Sequence, residues 1–194
     1  MNHFFEIKTN KVSPATGKIL VSEPLLLDSY FNRSVVLLID YSKEEGTAGV
    51  IINKSIEVSL NAVVKDLPKF DVPVFLGGPV QPTNLFFIHT LGDKIENSQK
   101  IMDGLYWGGS IDVVREMIAL KKIDKKDIRF FAGYSGWQPS QLENELKNNN
   151  WVVVRTNARK ILETKPEELW SVMVKDLGEQ YSFWEKMPKD PRFN

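Results

Sequence analysis

The sequence predicts an α+β domain, and three observations carry that prediction. Short apolar runs such as Val35-Val36-Leu37-Leu38-Ile39 and Trp151-Val152-Val153-Val154 recur along the chain, each bounded by polar, glycine or proline residues as strands are. Between them lie segments with helical apolar spacing and recognisable starts at Ser110, Pro139 and Pro166. No serine- or glycine-rich linker and no internal repeat divides the 194 residues, so residues 1–194 are read as a single domain.

The elements follow in order. Residues 18–22 and 34–41 read as the first two strands, the second with both faces largely buried, and 48–53 as a hairpin partner because the intervening segment Lys43-Glu44-Glu45-Gly46 is short and polar. Ser59 caps a short helix expected over 60–67 and stopped by Pro68. Strands are expected at 74–76 and 85–89, joined by the loop Gly77-Gly78-Pro79-Val80-Gln81-Pro82. Ser110 is the N-cap of a helix over 111–120, whose apolar positions 111, 114, 117, 118 and 120 share one side. A strand covers 128–134, a glycine turn carries Ser135, and Pro139 opens a helix through Lys147. After the 151–154 strand, Pro166 opens a last helix ending near Gly178.

Composition excludes several function classes. A chain of this length buries roughly 70% of the surface it exposes when unfolded, enough for a substantial core. Twenty-five basic residues balance twenty-five acidic ones, and the densest basic run, residues 121–126, is broken by Asp124. That is a solvated turn rather than a phosphate-binding stripe, so direct nucleic-acid binding is not expected. With no cysteine, disulfides, thiolate catalysis and cysteine-ligated metals are out of reach. Residues 1–6 lack a basic then apolar leader, and no apolar run approaches the ~20 residues of a membrane helix. The expectation is a cytoplasmic protein with no membrane, metal or cofactor requirement.

One stretch offers catalytic bait: Phe130 to Pro139 reads FFAGYSGWQP, close to the strand, glycine-flanked serine and helix of a hydrolase nucleophile elbow. The match fails in two places. Trp137 stands where the second glycine is needed, and both histidines, His3 and His89, precede Ser135 whereas the hydrolase order runs serine, acid, histidine. Ser135 therefore reads as a turn residue whose hydroxyl satisfies backbone groups, with a serine-dependent hydrolase kept as the alternative. His89 has no partner at ligand spacing and reads as a hydrogen-bonded structural histidine. No catalytic residue and no metal ligand is assigned.

Three glycine clusters adjoin apolar runs: Gly77-Gly78-Pro79, Gly104 to Gly109, and Gly133 to Trp137. None has P-loop or dinucleotide spacing. Turns with positive φ explain glycines in general, and the alternative is one shared binding cleft formed by Gly77, Gly78, Trp107, Gly108, Gly109, Tyr134, Ser135, Gly136 and Trp137. In that alternative Trp107 and Trp137 lie near one another at the mouth of a common depression.

The ordered segments KILVSEPLLLDSYFNRSVVLLI at 18–39, GVIINK at 49–54, FLGGPVQPTNLFFIH at 75–89, DGLYWGGSID at 103–112 and RFFAGYSGWQPSQLENEL at 129–146 resemble the YqgE/AlgH family of bacterial proteins. The likeness runs almost end to end, with departures at Ser55, where the family usually has proline, and at Gln138 and Ser140, where small residues are usual. The resemblance implies a mixed, partly barrel-like β-sheet surrounded by helices, and it implies no catalytic residue. A regulatory link to exopolysaccharide production, attached to some members, makes a DNA-binding transcriptional regulator a further alternative. The leading expectation is a non-enzymatic binding or regulatory module for an unknown protein or small-molecule partner.

Overall fold

The computed structural model describes residues 11–188; the leader reading of residues 1–6 lies outside them. Among the described residues ten strands and six α-helices follow one another: β1 (Ile19–Ser22), β2 (Val35–Ser42), β3 (Gly46–Ile51), β4 (Ser55–Ser59), α1 (Leu60–Val63), β5 (Pro73–Leu76), β6 (Val80–His89), β7 (Gln99–Met102), β8 (Leu105–Trp107), α2 (Ile111–Ala119), β9 (Ile128–Trp137), α3 (Gln141–Lys147), β10 (Trp151–Val154), α4 (Ala158–Glu163), α5 (Pro166–Asp176) and α6 (Ser182–Lys186). The fold is α+β, as its residues predict. The sheet runs β10-β1-β2-β3-β9-β6-β8-β7, with β4 and β5 attached beside β9, and it is not closed into a barrel. All pairings are antiparallel except β5 with β9, so the sheet is mixed.

Strand alternation explains three separate cores. Ile19, Val21, Val35, Leu37 and Ile39 face one side, where Leu169, Trp170, Met173 and Val174 of α5 cover them. Leu20, Val36 and Leu38 face the other, against Leu142 of α3 and Trp151. At the far half of the sheet, Val74, Phe87 and Phe130 pack under Leu60 of α1 and Val114 and Ile118 of α2. A strand buried on both faces must be apolar at consecutive positions, which is why residues 35–39 form an unbroken run. Ile101 and Leu105, from the last hairpin, join the core of β1 and β2, so the sheet curls until its two ends share one interior.

Long β9 organises the architecture. On one side it pairs with β6 along most of its length; on the other its first half pairs with β5 and its second half with β3. The link Gly77-Gly78-Pro79 leaves β5 on one side of β9 and enters β6 on the other, so it must cross that strand. Backbones at a crossing approach more closely than a Cβ permits. A Cβ on Gly77 would lie 2.0 Å from the Gly133 carbonyl oxygen, and one on Gly78 would lie 2.3 Å from that of Tyr134. Gly133 returns the constraint: its Cβ would stand 2.5 Å from the Gly78 oxygen, and its φ of +70° is left-handed.

Several expectations need correction. The strand expected to end at Tyr134 runs on to Trp137, so the glycine turn expected to carry Ser135 is the last part of β9, paired with β3. β6 begins at Val80 inside the expected 77–82 loop, and α1 stops at Val63 rather than Leu67, with Asp66 left-handed beyond it. Ser110 caps α2 as read, accepting from the Val113 N–H. The basic run 121–126 ends α2 at left-handed Lys121 and continues as a turn in which the Asp124 and Asp127 side chains cap each other's backbone.

Candidate functional site

Ser135 is fully buried, and its Oγ donates to the Gly77 carbonyl at 3.0 Å. That carbonyl also accepts from the Ile51 N–H, so the crossing link is fastened to β9 by the hydroxyl and to β3 by the amide. A hydroxyl held this way points at backbone, not at solvent. His89 is equally committed. Its Nδ1 accepts from the Leu91 N–H at 3.2 Å, which places the ring proton on Nε2, 3.1 Å from the Gly108 carbonyl and 3.0 Å from Ser98 Oγ. Burial holds its pKa below the ordinary value. Among the described residues, no three histidine, cysteine or carboxylate side chains gather as a metal would require.

The two indoles expected to share a cleft are not brought together. Trp137 is 5% exposed and stands in the α3-side core, edge-on to Trp151 and tilted against Phe31. Its Nε1 and that of Trp151 each donate to the same Oε2 of Glu145 at 2.8 Å. Trp107 instead stacks on Phe86 at 5.5 Å, at the margin of the opposite core. The cause is strand parity: within β9, Tyr134 and Gly136 project to one face while Ser135 and Trp137 project to the other. Reading Ser135 as part of a turn conceals that alternation.

The remaining glycines also separate. Gly77 and Gly78 are consumed by the crossing. Gly108 and Gly109 form the left-handed turn from β8 into α2, where a Cβ on Gly109 would collide with Ile95 and Glu96. A Cβ on Gly108 would meet nothing within 4 Å, but its φ of +63° is left-handed; Gly136 alone of these has both room and an ordinary backbone. Its would-be Cβ meets only a Val80 methyl at 3.5 Å and the Tyr134 ring at 3.6 Å, both ordinary contacts.

Around Gly136 the concave side of the sheet opens to solvent as a depression of about 340 Å³, lined by Asp40, Glu45, Thr47, Ala48, Val80, Tyr134 and Gln138, and edged by Gly46 and Trp137. The floor is built by register: Ala48 lies opposite both Asp40 of β2 and Gly136 of β9, so three adjacent strands present a carboxylate, a methyl and no side chain in a row. The wall is aromatic. Tyr134 meets Phe86 edge-to-face at 5.7 Å, and Phe86 stacks on Trp107 behind it. Of the residues singled out from the sequence, Tyr134, Gly136 and the edge of Trp137 thus border one surface, with Trp107 supporting it from behind. Asp40, Glu45, Ala48 and Val80 were not singled out from the sequence: counting by twos from Gly136 along β9 reaches Tyr134 only, and the others join it through the pairing of separate strands.

Two cations, one buried and one half-buried, lie elsewhere. Arg129 is 9% exposed, donates to the carbonyls of Ile52 and Leu162, and packs over the Phe75 ring at 4.7 Å; burial lowers its pKa to about 10. Arg33 sits over the Trp170 ring at 4.6 Å and donates to the carbonyls of Met187 and Pro188, tying that end of the chain to α5. Both guanidinium groups are engaged in holding backbone.

The comparisons with known proteins agree with this architecture. The model of the AlgH-like family matches residues 19–182. The chain belongs to that family. A UPF0301 protein of Parabacteroides distasonis is 43% identical over 195 residues, covering 99% of this chain and 98% of its own length. Another from Bacteroides thetaiotaomicron is 41% identical over 192 residues, covering 98% and 96%. The solution structure of the AlgH protein from Pseudomonas aeruginosa superposes with a TM-score of 0.72 at 26% identity, covering 93% of this chain and 98% of that one. A crystal structure from Corynebacterium diphtheriae, 21% identical, has the same fold at a TM-score of 0.72, over 91% of this chain and 94% of its own. Among the described residues, no helix is long and apolar enough to cross a membrane.

Proposed function

We propose that this AlgH-like protein is a cytoplasmic, non-enzymatic binding or regulatory module that receives a partner on the depression around Tyr134 and Gly136. One observation carries the reading: the two faces of the same stretch of β9 are used oppositely. Ser135 and Trp137 are buried and hydrogen-bonded, whereas Tyr134 and Gly136 border an open surface with a half-buried aromatic wall. Half-buried aromatics beside an unfilled floor give contact area at low entropic cost. The hydrolase alternative gains nothing from a serine whose hydroxyl is turned into the backbone. The balanced charge gives no support to direct phosphate contacts, so a regulatory role acts through another molecule.

Two measurements test this. Ser135→Ala is expected to leave the protein folded, with a loss of about 1 kcal/mol because the Gly77 carbonyl keeps its bond from Ile51, and with esterase and peptidase panels blank for both forms. Turnover by the wild type that vanishes in the variant makes the protein an enzyme. Gly136→Val fills the floor, and affinity capture from native lysate compared between the two proteins is expected to lose specific partners. Identical capture profiles from equally folded proteins place the binding surface elsewhere, and a salt-sensitive, sequence-selective gel shift with duplex DNA favours a DNA-binding regulator.

A further inference from the structure

We propose that the group received in the Tyr134–Gly136 depression is an arginine side chain presented by an extended peptide of a partner protein; this rests on the binding reading above and names its ligand. The depression combines three features that together select a planar cation. Its rim carries two carboxylates, Asp40 at the end of β2 and Glu45 in the β2–β3 turn, both exposed. Neither takes part in an ion pair among the described residues. Counting the whole hairpin end, Asp40, Glu44 and Glu45 face only Lys43, three acids against one base, so the rim is locally negative on a chain whose total charge is zero.

The wall is the Tyr134 ring, held edge-to-face by Phe86. Its hydroxyl makes no hydrogen bond to another described residue, which leaves both the ring and its oxygen for a ligand. The floor is Ala48 and Gly136, flat enough for a guanidinium to lie against the sheet, and Thr47 is 7% exposed, so little side chain obstructs the approach. A cation beside an aromatic ring and a carboxylate gains from both. A guanidinium fits better than an ammonium because its planar fork meets a carboxylate through two N–H groups while its face stacks on an aromatic. The volume, about 340 Å³, suits one long side chain rather than a folded segment.

The test is a titration of the isotope-labelled full chain followed by amide NMR, with acetyl-Gly-Arg-Gly-amide and, in parallel, the counterpart in which citrulline replaces arginine. Citrulline keeps the shape and removes the charge. The expected result is saturable shifts at the amides of Ala48, Tyr134 and Gly136, an affinity for the arginine peptide about ten-fold above that of the citrulline peptide, and a similar loss in the double variant Asp40→Asn, Glu45→Gln. Tyr134→Leu, which keeps an apolar wall, is expected to weaken the arginine peptide about three-fold or more while leaving the citrulline peptide nearly unchanged. Equal binding of both peptides at these amides overturns the arginine assignment and leaves the binding surface standing. Shifts confined to other parts of the molecule overturn the assignment as well, and the Gly136→Val capture experiment then decides separately whether the surface binds anything. Concentration-dependent association of the protein with itself, abolished by the acid-to-amide variant, replaces the partner peptide with the basic turn of a second copy and likewise overturns the proposal.

Discussion

The crossing, where Gly77 and Gly78 pass Gly133, and the open floor at Gly136 lie three residues apart along β9, yet their glycines serve opposite ends. At the crossing, glycine is required because another backbone occupies the place of its Cβ. At the floor, nothing comparable occupies it, and glycine merely leaves room. A glycine-rich motif is thus not a unit of function; each position has to be asked what a methyl group would meet there.

That contrast can be broken by substitution. The largest effect is expected at Gly77→Ala. A methyl 2.0 Å from the Gly133 carbonyl cannot be accommodated without separating β5 from β9. The loss should reach or exceed the ~3 kcal/mol at the upper end of overpacking, read as a failure to fold or a collapse of the urea midpoint. A variant with wild-type stability shows that the two backbones are not in contact.

Next comes Glu145→Ala, which tests whether the Trp137 side of β9 is as tightly fixed as the crossing. Removing the carboxylate leaves two indole N–H groups without their acceptor, at a cost of about 2–4 kcal/mol for two buried donors. Glu145→Gln retains an acceptor oxygen and should recover most of that loss. Equal destabilisation by both substitutions would mean that the charge, not the acceptor, matters.

A smaller, pH-dependent effect is expected from His89, at the far end of β6 from the crossing. Its folded pKa lies below the ordinary value, first because it is buried. The unfolded chain therefore takes up the proton more readily. The stability contribution is complete above the unfolded value of about 6.5 and declines as pH falls through and below it, by at most about 1.4 kcal/mol per pH unit. Denaturation midpoints should drop between about pH 7.5 and about pH 5.5 more steeply for the wild type than for His89→Gln. Parallel profiles would assign the acid sensitivity to other groups.

The smallest effect is the sharpest discriminator. Gly136→Ala should change stability by less than ~0.5 kcal/mol, since its methyl meets only ordinary contacts. Setting it beside Gly77→Ala measures the difference between a glycine that is needed and one that is tolerated.

Much of the fold was legible because burial on both faces writes itself as unbroken apolar runs: β1, β2, β3 and β10 were placed within about two residues. Helices α2 and α5 were equally visible through Ser110 and Pro166. The exposed edge strand β4, Ser55-Ile56-Glu57-Val58-Ser59, has no such run and escaped notice. The β7–β8 hairpin carries an Asp103-Gly104 turn signal, which grouping Gly104 with Gly108 and Gly109 obscured. The site was legible only in part. Tyr134 and Gly136 were singled out, but Trp137 was set beside them because glycines at 133 and 136 suggested a turn. Once β9 is continuous, adjacent residues must face opposite ways, and the tryptophan falls to the other core.

The position of β9 also sets an order of assembly. Residues 46–51, 73–76 and 80–89 all hydrogen-bond to a strand that begins only at residue 128. Until it arrives, β3 and β5 lack a shared neighbour and the 77–79 link has nothing to cross. A chain emerging from the ribosome can form the β1–β2–β3 and β4–β5 pairs, but each retains an unpaired edge while at least about fifty further residues are made, several seconds at ordinary rates of synthesis. Commitment to the native topology is consequently a late, non-local event, of the kind that slows folding.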